Sequence, residues 1–443
     1  MPYALGMDIG NSSARAAVSR LRGGAWAAPE PLSLEGTDET VESTLFVTGD
    51  GTVLAGSRAR SHASAEPARS VRDVLDRVGD PVPLLLPSGP WPAAGLVASF
   101  AAWIAERATE REGEPPERIA VTHPSSWGPY RCRVLREALH GAGLGDTLLL
   151  PGVAAVAEAY GAREGAAAGA TLGVCLLGGA RACAAVVRRE RSGFDVLAYG
   201  TVPDGRPGRR IDDLLADHAL ARAGSATGNA NGAAPAGAMD RLRAGCRQAK
   251  EDLATEQHAE VPVPMRGGLE RVSVSRAELD RLARPVVATA LRAARDVLAP
   301  VPDEHRGTVL LAGGTARMPL AVELAPATLT WPVVTPGDPA RAAALGAAVA
   351  ARPGRAGEPD SEPDGERAEL VTGSPPAAGP FGQAGNGRIA APGGSDEGEW
   401  RESPPPRPPV SITPLEPPRS RRRMSLPLPR PKRWQREREE ERA

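Results

Sequence analysis

Aromatic residues and cysteine are both scarce in this chain. Phe, Trp and Tyr together make up 3% of its 443 residues, and there are only four cysteines. The cysteines form no C-x-x-C pair and have no histidines at metal-ligand spacing, so we expect reduced, mostly buried thiols rather than a disulfide framework or a zinc site. The formal net charge of −1 gives no general attraction to nucleic acid or membrane, and no clear nucleic-acid site is present.

Long apolar runs are also missing. The most apolar window, residues 166–187, contains Arg181 and several glycines and is too polar to span a bilayer. The N-terminus lacks the basic segment and apolar core of a signal peptide. We therefore expect a cytoplasmic protein without a transmembrane segment, long enough for two or three domains or lobes.

Residues 3–18 predict a strand, a tight turn and a second strand. Gly10, Asn11 and Ser12 form the turn, where Gly10 lets the backbone bend sharply. The N–H groups of such a turn can hold a phosphate, and Asp8 at the strand end can reach Mg2+ through water. An ordinary hairpin with a polar tip is the alternative, because a short Gly/Ser motif alone has little specificity.

A second stretch, residues 170–187, repeats this pattern around the turn Leu177-Gly178-Gly179-Ala180. A third glycine turn, Gly313-Gly314-Thr315, follows a predicted strand at Val309–Ala312. Each of the two hairpins is followed by alternating helix-like and strand-like segments. This arrangement indicates an α/β protein built from duplicated lobes.

Local signals predict further helices and loops. Ser275 and Glu278 form a capping box that opens a long helix, in which we expect Pro285 to cause a kink or a break. The Gly/Ala/Asn-rich segment Gly224–Ala238 is predicted to be a loop. Asp212 is expected to cap a helix or to lie in its first turn.

Beyond Pro353 the alternation ends, and Pro, Gly, Ser, Glu and Arg dominate. We predict that residues 354–443 form a disordered, low-complexity tail. Its PPPRPP segment favours polyproline II conformation, and its basic segment, residues 419–433, is suited to anionic lipid, nucleic acid or an acidic protein. Ser425 follows a run of arginines and is a candidate site for a basophilic kinase. A solvated tail with no dedicated partner is the alternative.

Several segments, in this order, match the motifs of one family. They are Met7–Ser12 (first phosphate loop), Val121–Arg131 (hinge segment, with Pro124), Leu177–Ala180 (second phosphate loop), Cys246–Lys250 (adenosine-contacting helix), Ser275–Leu279 (helix start), Val309–Pro319 (adenosine loop, the most specific match) and Asp338–Val349 (closing helix). The chain resembles the nucleotide-binding domain of Hsp70 chaperones, within the actin/sugar-kinase/Hsp70 superfamily. The likeness covers roughly residues 3–352 and is greatest with the divergent actinobacterial Hsp70-like proteins.

The resemblance implies a two-lobed actin-like ATPase fold with a nucleotide cleft. The expected boundaries are 1–353 for the whole domain, about 1–160 for lobe I, about 168–330 for lobe II and about 338–352 for the closing helix. ATP or ADP would bind between the lobes, with Mg2+ held by Asp8 through water and Pro124 marking a hinge. The expected nucleotide-binding residues are Gly10, Asn11, Ser12, Gly178, Gly179, Ala180, Lys250, Gly313, Gly314, Thr315 and Arg317.

Most residues that the family uses for hydrolysis are replaced. Gly152 stands where the family has a glutamate, and Leu176 where it has an aspartate that holds metal and water. Arg72 replaces a lysine and Arg181 a threonine, so only Asp8 survives among the metal-facing carboxylates. Loss of such a carboxylate usually lowers the rate by orders of magnitude. The two arginines would either pair with phosphate oxygens or form salt bridges.

Three functions are compatible with this pattern. The first is an Hsp70-family ATP-binding protein, chaperone-like or regulatory, that hydrolyses ATP weakly or not at all and lacks the substrate-binding domain, since no run of alternating strands follows Pro353. The second is an active ATPase chaperone in which Arg72 and Arg181 replace the usual groups, so enzyme activity stays open. The third is a nucleotide-free adaptor that binds an unidentified protein partner through its lobes and basic tail. A sugar or acetate kinase would need a catalytic aspartate in the cleft, for which the sequence offers no candidate.

Overall fold

The first predicted hairpin is present in the structure. A computed structural model describes residues 1–202, 205–227, 237–265 and 268–353 of the chain. Strands β1 (Tyr3–Ile9) and β2 (Ser13–Arg22) pair antiparallel. Gly10 N donates to Ser13 O at 3.0 Å, which closes the turn between them.

The other strands of residues 1–164 either extend this hairpin into a sheet or form two small separate sheets. The further strands are β3 (Ala25–Trp26), β4 (Glu30–Leu32), β5 (Thr40–Glu42), β6 (Leu45–Val47), β7 (Val53–Leu54), β8 (Ser70–Val71), β9 (Leu84–Leu86), β10 (Gly89–Trp91), β11 (Arg118–His123) and β12 (Thr147–Pro151), and the helices are α1 (Gly56–Ala65), α2 (Ala93–Glu112), α3 (Pro129–Gly141) and α4 (Gly152–Glu164). Of these strands, β3, β4, β5, β11 and β12 extend the hairpin, while β6–β8 and β9–β10 form the two small sheets. Strand β1 pairs parallel with β11, and β11 pairs parallel with β12, so the strand order is β3-β2-β1-β11-β12. The short strands β4 and β5 also pair with β2.

In residues 171–350, five strands form a second sheet that repeats this order, and two others form a separate sheet. The strands are β13 (Thr171–Leu177), β14 (Ala182–Arg189), β15 (Phe194–Thr201), β16 (His258–Met265), β17 (Gly268–Ser275), β18 (Val309–Ala312) and β19 (Val333–Val334), and the helices are α5 (Pro207–Thr227), α6 (Ala238–Asp252), α7 (Arg276–Leu298), α8 (Pro319–Thr328) and α9 (Ala342–Ala350). Strand β13 pairs antiparallel with β14 and parallel with β18, which gives the order β15-β14-β13-β18-β19. Strands β16 and β17 form the separate two-stranded sheet. The predicted α/β class and the two-lobed, actin-like ATPase fold are therefore confirmed.

Helices α4 and α9 pack against each other between the two sheets. Their backbones touch at one point, because a Cβ atom on Gly346 would collide with the backbone of Ala155. A Cβ atom on Gly6 of β1 would likewise collide with the backbone of α9 at Ala348. Alanine and glycine in α9 thus allow close backbone packing between the two halves of the fold.

Two local predictions are wrong in detail, and one of two alternatives is excluded for a third. Pro285 does not break α7, which is continuous from Arg276 to Leu298 after a complete capping box at Ser275, and a kink at Pro285 stays a prediction. The expected loop at Gly224–Ala238 begins later, because α5 runs to Thr227, and residues 228–236 lie outside the described part of the chain. Asp212 is not at a helix start: Pro207, a residue that suits the first helical position, begins α5 more than one turn earlier.

The tail predictions concern residues that the structure does not describe. Residues 354–443, including the basic segment 419–433 and Ser425, lie outside the described ranges. Within those ranges, every helix is too short or too polar to cross a lipid bilayer.

Candidate functional site

The turns of the two equivalent hairpins meet. Gly178 N donates to Arg181 O at 2.9 Å, as Gly10 does to Ser13 in the first hairpin. A Cβ atom on Gly179 would lie 2.7 Å from Ser12 Oγ. The backbone of the second turn at Gly179 is therefore in direct contact with the Ser12 side chain of the first turn. The structure therefore brings together Gly10–Ser12 and Gly178–Ala180, which the sequence separates widely.

The third glycine turn lies against the second. Thr315 Oγ1 donates to Gly178 O at 3.1 Å. Gly313 has a φ of 97°, and a Cβ atom there would collide with Leu177 O, so only glycine fits this position. Gly314 begins a single 3-10 turn that ends at Arg317. All three predicted turns thus form one cluster at the ends of β1, β13 and β18.

Lys250 and Arg317 are both engaged in ion pairs. Lys250 Nζ lies 2.6 Å from Asp212 Oδ1 and donates to Gly208 O at 3.0 Å. Burial raises the pKa of Asp212, although the charge of Lys250 opposes this rise. Arg317 makes a bidentate pair with Asp338, at 2.8 and 2.7 Å, and these hydrogen bonds raise its pKa. Each predicted nucleotide-binding cation therefore has a protein carboxylate as its partner.

Pro124, the predicted hinge residue, follows β11 directly. Its carbonyl accepts from Trp127 N at 3.0 Å and lies 3.0 Å from His123 Nδ1. The His123 ring stacks on Trp127, with ring centroids 5.9 Å apart. Burial lowers the pKa of His123, which favours the neutral ring and a structural role.

Asp8 lies at the end of β1, beside the first turn. Its carboxylate accepts a hydrogen bond from Thr122 Oγ1 at 2.6 Å. Burial raises the pKa of Asp8, and both the Thr122 hydrogen bond and the charge of Arg15 oppose this rise. Asp8 thus has one neutral donor and one nearby cation.

Leu176 and Gly152, which stand where the family has acids, do not supply metal ligands. Leu176 Cδ2 lies 3.6 Å from where a Cβ atom of Gly152 would be, so the two positions where the family has acids make an apolar contact. Among the described residues, no group of three or more Asp, Glu, His or Cys side chains is arranged to hold a metal. Mg2+ is usually held by one or two carboxylates together with waters and phosphates. Of the metal-facing carboxylates of the family only Asp8 remains, and the charge of Arg15 acts on it, so the side chains at this position do not fit the ion.

Ion pairs between the lobes close the cleft beside the turns. Arg181 pairs with Asp76, and Arg209 Nη1 lies 2.6 Å from Asp73 Oδ1. Arg209 Nη2 also donates to Asn11 O at 3.1 Å, and Arg206 lies 3.5 Å from Asp76. Of the two interpretations of Arg181, the salt bridge is the one observed.

Farther out, Arg72 Nη1 lies 3.4 Å from Asp240 Oδ1. Both side chains are about half exposed, so Arg72 is at the mouth of the cleft and, like Arg181, forms a salt bridge. Arg247 on α6 makes a similar contact, 3.5 Å from Glu42. The arginines that replace smaller residues of the family therefore connect one lobe to the other.

A cavity of about 1400 Å³ opens next to these ion pairs. Asn11 and Ser12 of the first turn line it, whereas the other two turns and Lys250 do not. Its walls carry more arginines than acids. The arginines are Arg60, Arg72, Arg206, Arg209, Arg210, Arg241, Arg243, Arg247 and Arg281, and the acids are Glu42, Asp73, Asp212, Asp213 and Asp240. This excess of positive charge suits an anionic ligand.

Sequence reasoning missed the acidic half of the interlobe contacts. Asp73 directly precedes the 3-10 segment Val74–Arg77, and Asp76 lies within it. Asp73 is the only non-glycine residue with positive φ in the described part of the chain. Their spacing of three, directly after Arg72, is the one local signal that could have indicated a shared face. Their partners lie more than 100 residues away, beyond the reach of any local pattern.

Comparison with known proteins relates this cleft to one family. The model of the family described as Hsp70 protein matches residues 92–356, more than half of the chain. The chain is 31% identical to the chaperone protein HscA homolog of Methylibium petroleiphilum, over 52% of this chain and 36% of that protein. It is 27% identical to the homolog of Bordetella pertussis, over 79% and 57%, and 29% identical to the chaperone protein HscA of Cronobacter sakazakii, over 70% and 48%. The chain thus spans between about a third and three-fifths of these relatives.

Proposed function

The chain belongs to the Hsp70 family, and we propose that it binds ATP or ADP between its lobes and hydrolyses ATP weakly or not at all. The observation that carries the proposal is the contrast between two features of one cleft. The three glycine turns are kept and lie together, whereas Leu176 and Gly152 stand at two positions where the family has carboxylates.

Binding is supported by the backbone and by charge. Turns such as Gly10–Ser12 hold phosphate through N–H groups, so changes of side chain in them are compatible with binding. The adjoining cavity reaches Asn11 and Ser12 and has an arginine-rich wall. A nucleotide is an anion of the size and charge that this cavity suits.

Weak hydrolysis follows from the chemistry of phosphoryl transfer. The reaction needs a positioned water and charge compensation at the transferred phosphoryl group. Leu176 can neither hold a metal nor orient water, and the side chains of Arg72 and Arg181 are engaged with Asp240 and Asp76. We therefore propose a chaperone-like or regulatory role that depends on the nucleotide state of the lobes and on a protein partner.

The test is a titration of the full chain with a fluorescent ATP analogue, followed by displacement with unlabelled ADP. We expect saturable binding that ADP reverses. The variant Arg58→Ser should bind as the wild type does, because Arg58 is exposed on α1 and does not line the cavity. It thus controls for the loss of one positive charge outside the site. Absence of saturable binding, with and without Mg2+, would refute the proposal.

A second candidate, a nucleotide-free adaptor, is favoured by the interlobe ion pairs. Arg181–Asp76 and Arg209–Asp73 join the two lobes through side chains of the protein itself. In that case the same titration gives no displaceable signal, and the lobes act only as a binding surface for a partner. The two candidates therefore predict opposite results in a single experiment.

A further inference from the structure

Arg15 lies directly opposite Asp8 in the first hairpin. The register of β1 and β2 pairs Asp8 with Arg15, and opposite residues of an antiparallel pair project from the same face. Both residues are two positions from the turn residues, Gly10 and Ser13, that close the hairpin. A cation is thus built into the strand next to the one surviving acid.

The guanidinium of Arg15 has no ion pair of its own within the described residues. Its Nη1 donates to Ser13 Oγ at 3.2 Å, while its Nε is buried without a hydrogen-bond partner. A buried donor without a partner is costly, which indicates a ligand that accepts from it. The phosphate oxygens of a nucleotide at the first turn are acceptors of the required kind.

Charged groups from both lobes surround Arg15. Burial lowers its pKa and Arg317 adds to this effect, whereas Asp8, Glu251 and Asp338 oppose it. An arginine remains protonated under such conditions because its ordinary pKa is very high. Arg15 is therefore a permanent positive charge that interacts with Glu251 of α6 and Arg317 of the third turn, on the other lobe, although it does not line the cavity of about 1400 Å³.

A divalent cation at Asp8 would compete with this charge. The opposed guanidinium has the same sign as Mg2+, and like charges at close range repel strongly away from bulk water. The position equivalent to Asp8 in the second lobe, Leu176, supplies no compensating carboxylate. The mismatch between metal and side chains thus has a specific cause, which is Arg15.

We propose that Arg15 takes the place of the metal ion beside Asp8 and binds the nucleotide phosphates directly, so that the cleft accepts metal-free ATP or ADP. The proposal rests on the proposed nucleotide binding and names the cation of that site. The guanidinium fork matches two phosphate oxygens, and no divalent ion is needed to neutralise them.

The first test compares nucleotide affinity in EDTA with that in excess Mg2+, using the fluorescent ATP analogue and the full chain. The wild type is expected to bind at least as tightly in EDTA. Arg15→Ser should raise the Kd in EDTA about tenfold or more, as loss of a charged hydrogen bond predicts, and Arg58→Ser should leave it unchanged. A wild type that needs Mg2+ to bind, or an Arg15→Ser variant with unchanged Kd in EDTA, would overturn the proposal.

The second test uses Mn2+ and electron paramagnetic resonance on the chain without nucleotide. The wild type should retain no Mn2+, whereas Arg15→Asp, which opposes two carboxylates across the strands, should retain it. The double variant Asp8→Asn/Arg15→Asp should lose it again. Mn2+ that the wild type binds and Asp8→Asn abolishes, or a folded Arg15→Asp variant that retains none, would refute the substitution of arginine for metal. Because no nucleotide is present, this result is independent of whether the proposed function itself fails.

Discussion

Asp8 and Leu176 occupy the same position in two copies of one hairpin. Each lies two residues before the glycine that opens its turn, Gly10 or Gly178. Asp8 is paired with Arg15 on the neighbouring strand, and Leu176 is paired in the same way with Cys183. The first copy keeps an acid and the second has an apolar side chain. The two lobes therefore have the same backbone but different chemistry at the cleft.

This difference predicts the outcome of a hydrolysis assay. Phosphate release from ATP by the wild type should stay at the buffer background, because Leu176 cannot position a metal or a water. Asp8→Ala should leave that rate unchanged. Release above background that Asp8→Ala abolishes would instead support the active ATPase.

Neighbouring glycines in the third turn provide a matched pair of variants. Gly313→Ala should lower the free energy of unfolding by about 2 kcal/mol or more, because its φ of 97° and its contact with Leu177 O exclude a Cβ atom. Gly314→Ala, where a Cβ atom has open space, should change it by about 0.5 kcal/mol at most. Urea denaturation gives both values. Equal effects would contradict the described turn geometry.

The interlobe ion pairs should control how often the turns open. We expect Asp73→Asn/Asp76→Asn to raise amide hydrogen exchange in residues 10–13 and 178–181 about fivefold, since partly exposed pairs contribute at most about 1 kcal/mol each. Exchange followed by mass spectrometry measures this, and 1 M NaCl should act on the wild type in the same direction.

The control for that experiment is Glu110→Gln. Glu110 pairs with Arg107 on the surface of α2. Because both residues lie in the same helix, loss of this pair breaks no contact between the lobes. Exchange at the turns should not change in this variant. If the double aspartate variant also left exchange unchanged, the ion pairs would not hold the cleft.

The Lys250–Asp212 pair predicts a pH dependence. Both side chains are nearly buried, 11% and 7% exposed, so Lys250→Met should cost about 3 kcal/mol at pH 7 by leaving a buried carboxylate without its cation. Burial raises the pKa of Asp212 in the folded state, so the variant favours protonated Asp212 and its loss of stability should shrink as pH falls towards 4.

The double variant Lys250→Met/Asp212→Asn tests the cause of that loss. A neutral amide has no charge to desolvate, so it should recover most of the stability at pH 7 and remove the pH dependence. Urea denaturation at pH 4.5 and pH 7 makes the comparison. A loss of stability that is the same at both pH values would contradict the role of the carboxylate.

The two hairpins and the capping box at Ser275 could be predicted because each depends on residues close in sequence. The order of the strands in the two sheets could not, because it depends on pairings such as Ala4 with Arg118.

The ion pair of Lys250 could not be predicted, because it depends on where α5 begins and on which face of α5 carries Asp212. The same holds for Arg181 and Arg209, whose partners lie on the other lobe. Local sequence patterns thus predict the backbone turns of the site, whereas the ion-pair partners of its charged side chains depend on contacts between residues far apart in sequence.

The glycine contact between α4 and α9 has a mechanical consequence. Where two backbones touch at Gly346 and Ala155, there is no flexible side chain to compress or re-orient. Sliding of α9 along α4 would require these backbones to separate, whereas rotation about their contact would not. We therefore expect relative motion of the two lobes to be a rotation about this point, which moves the mouth of the cleft more than its base.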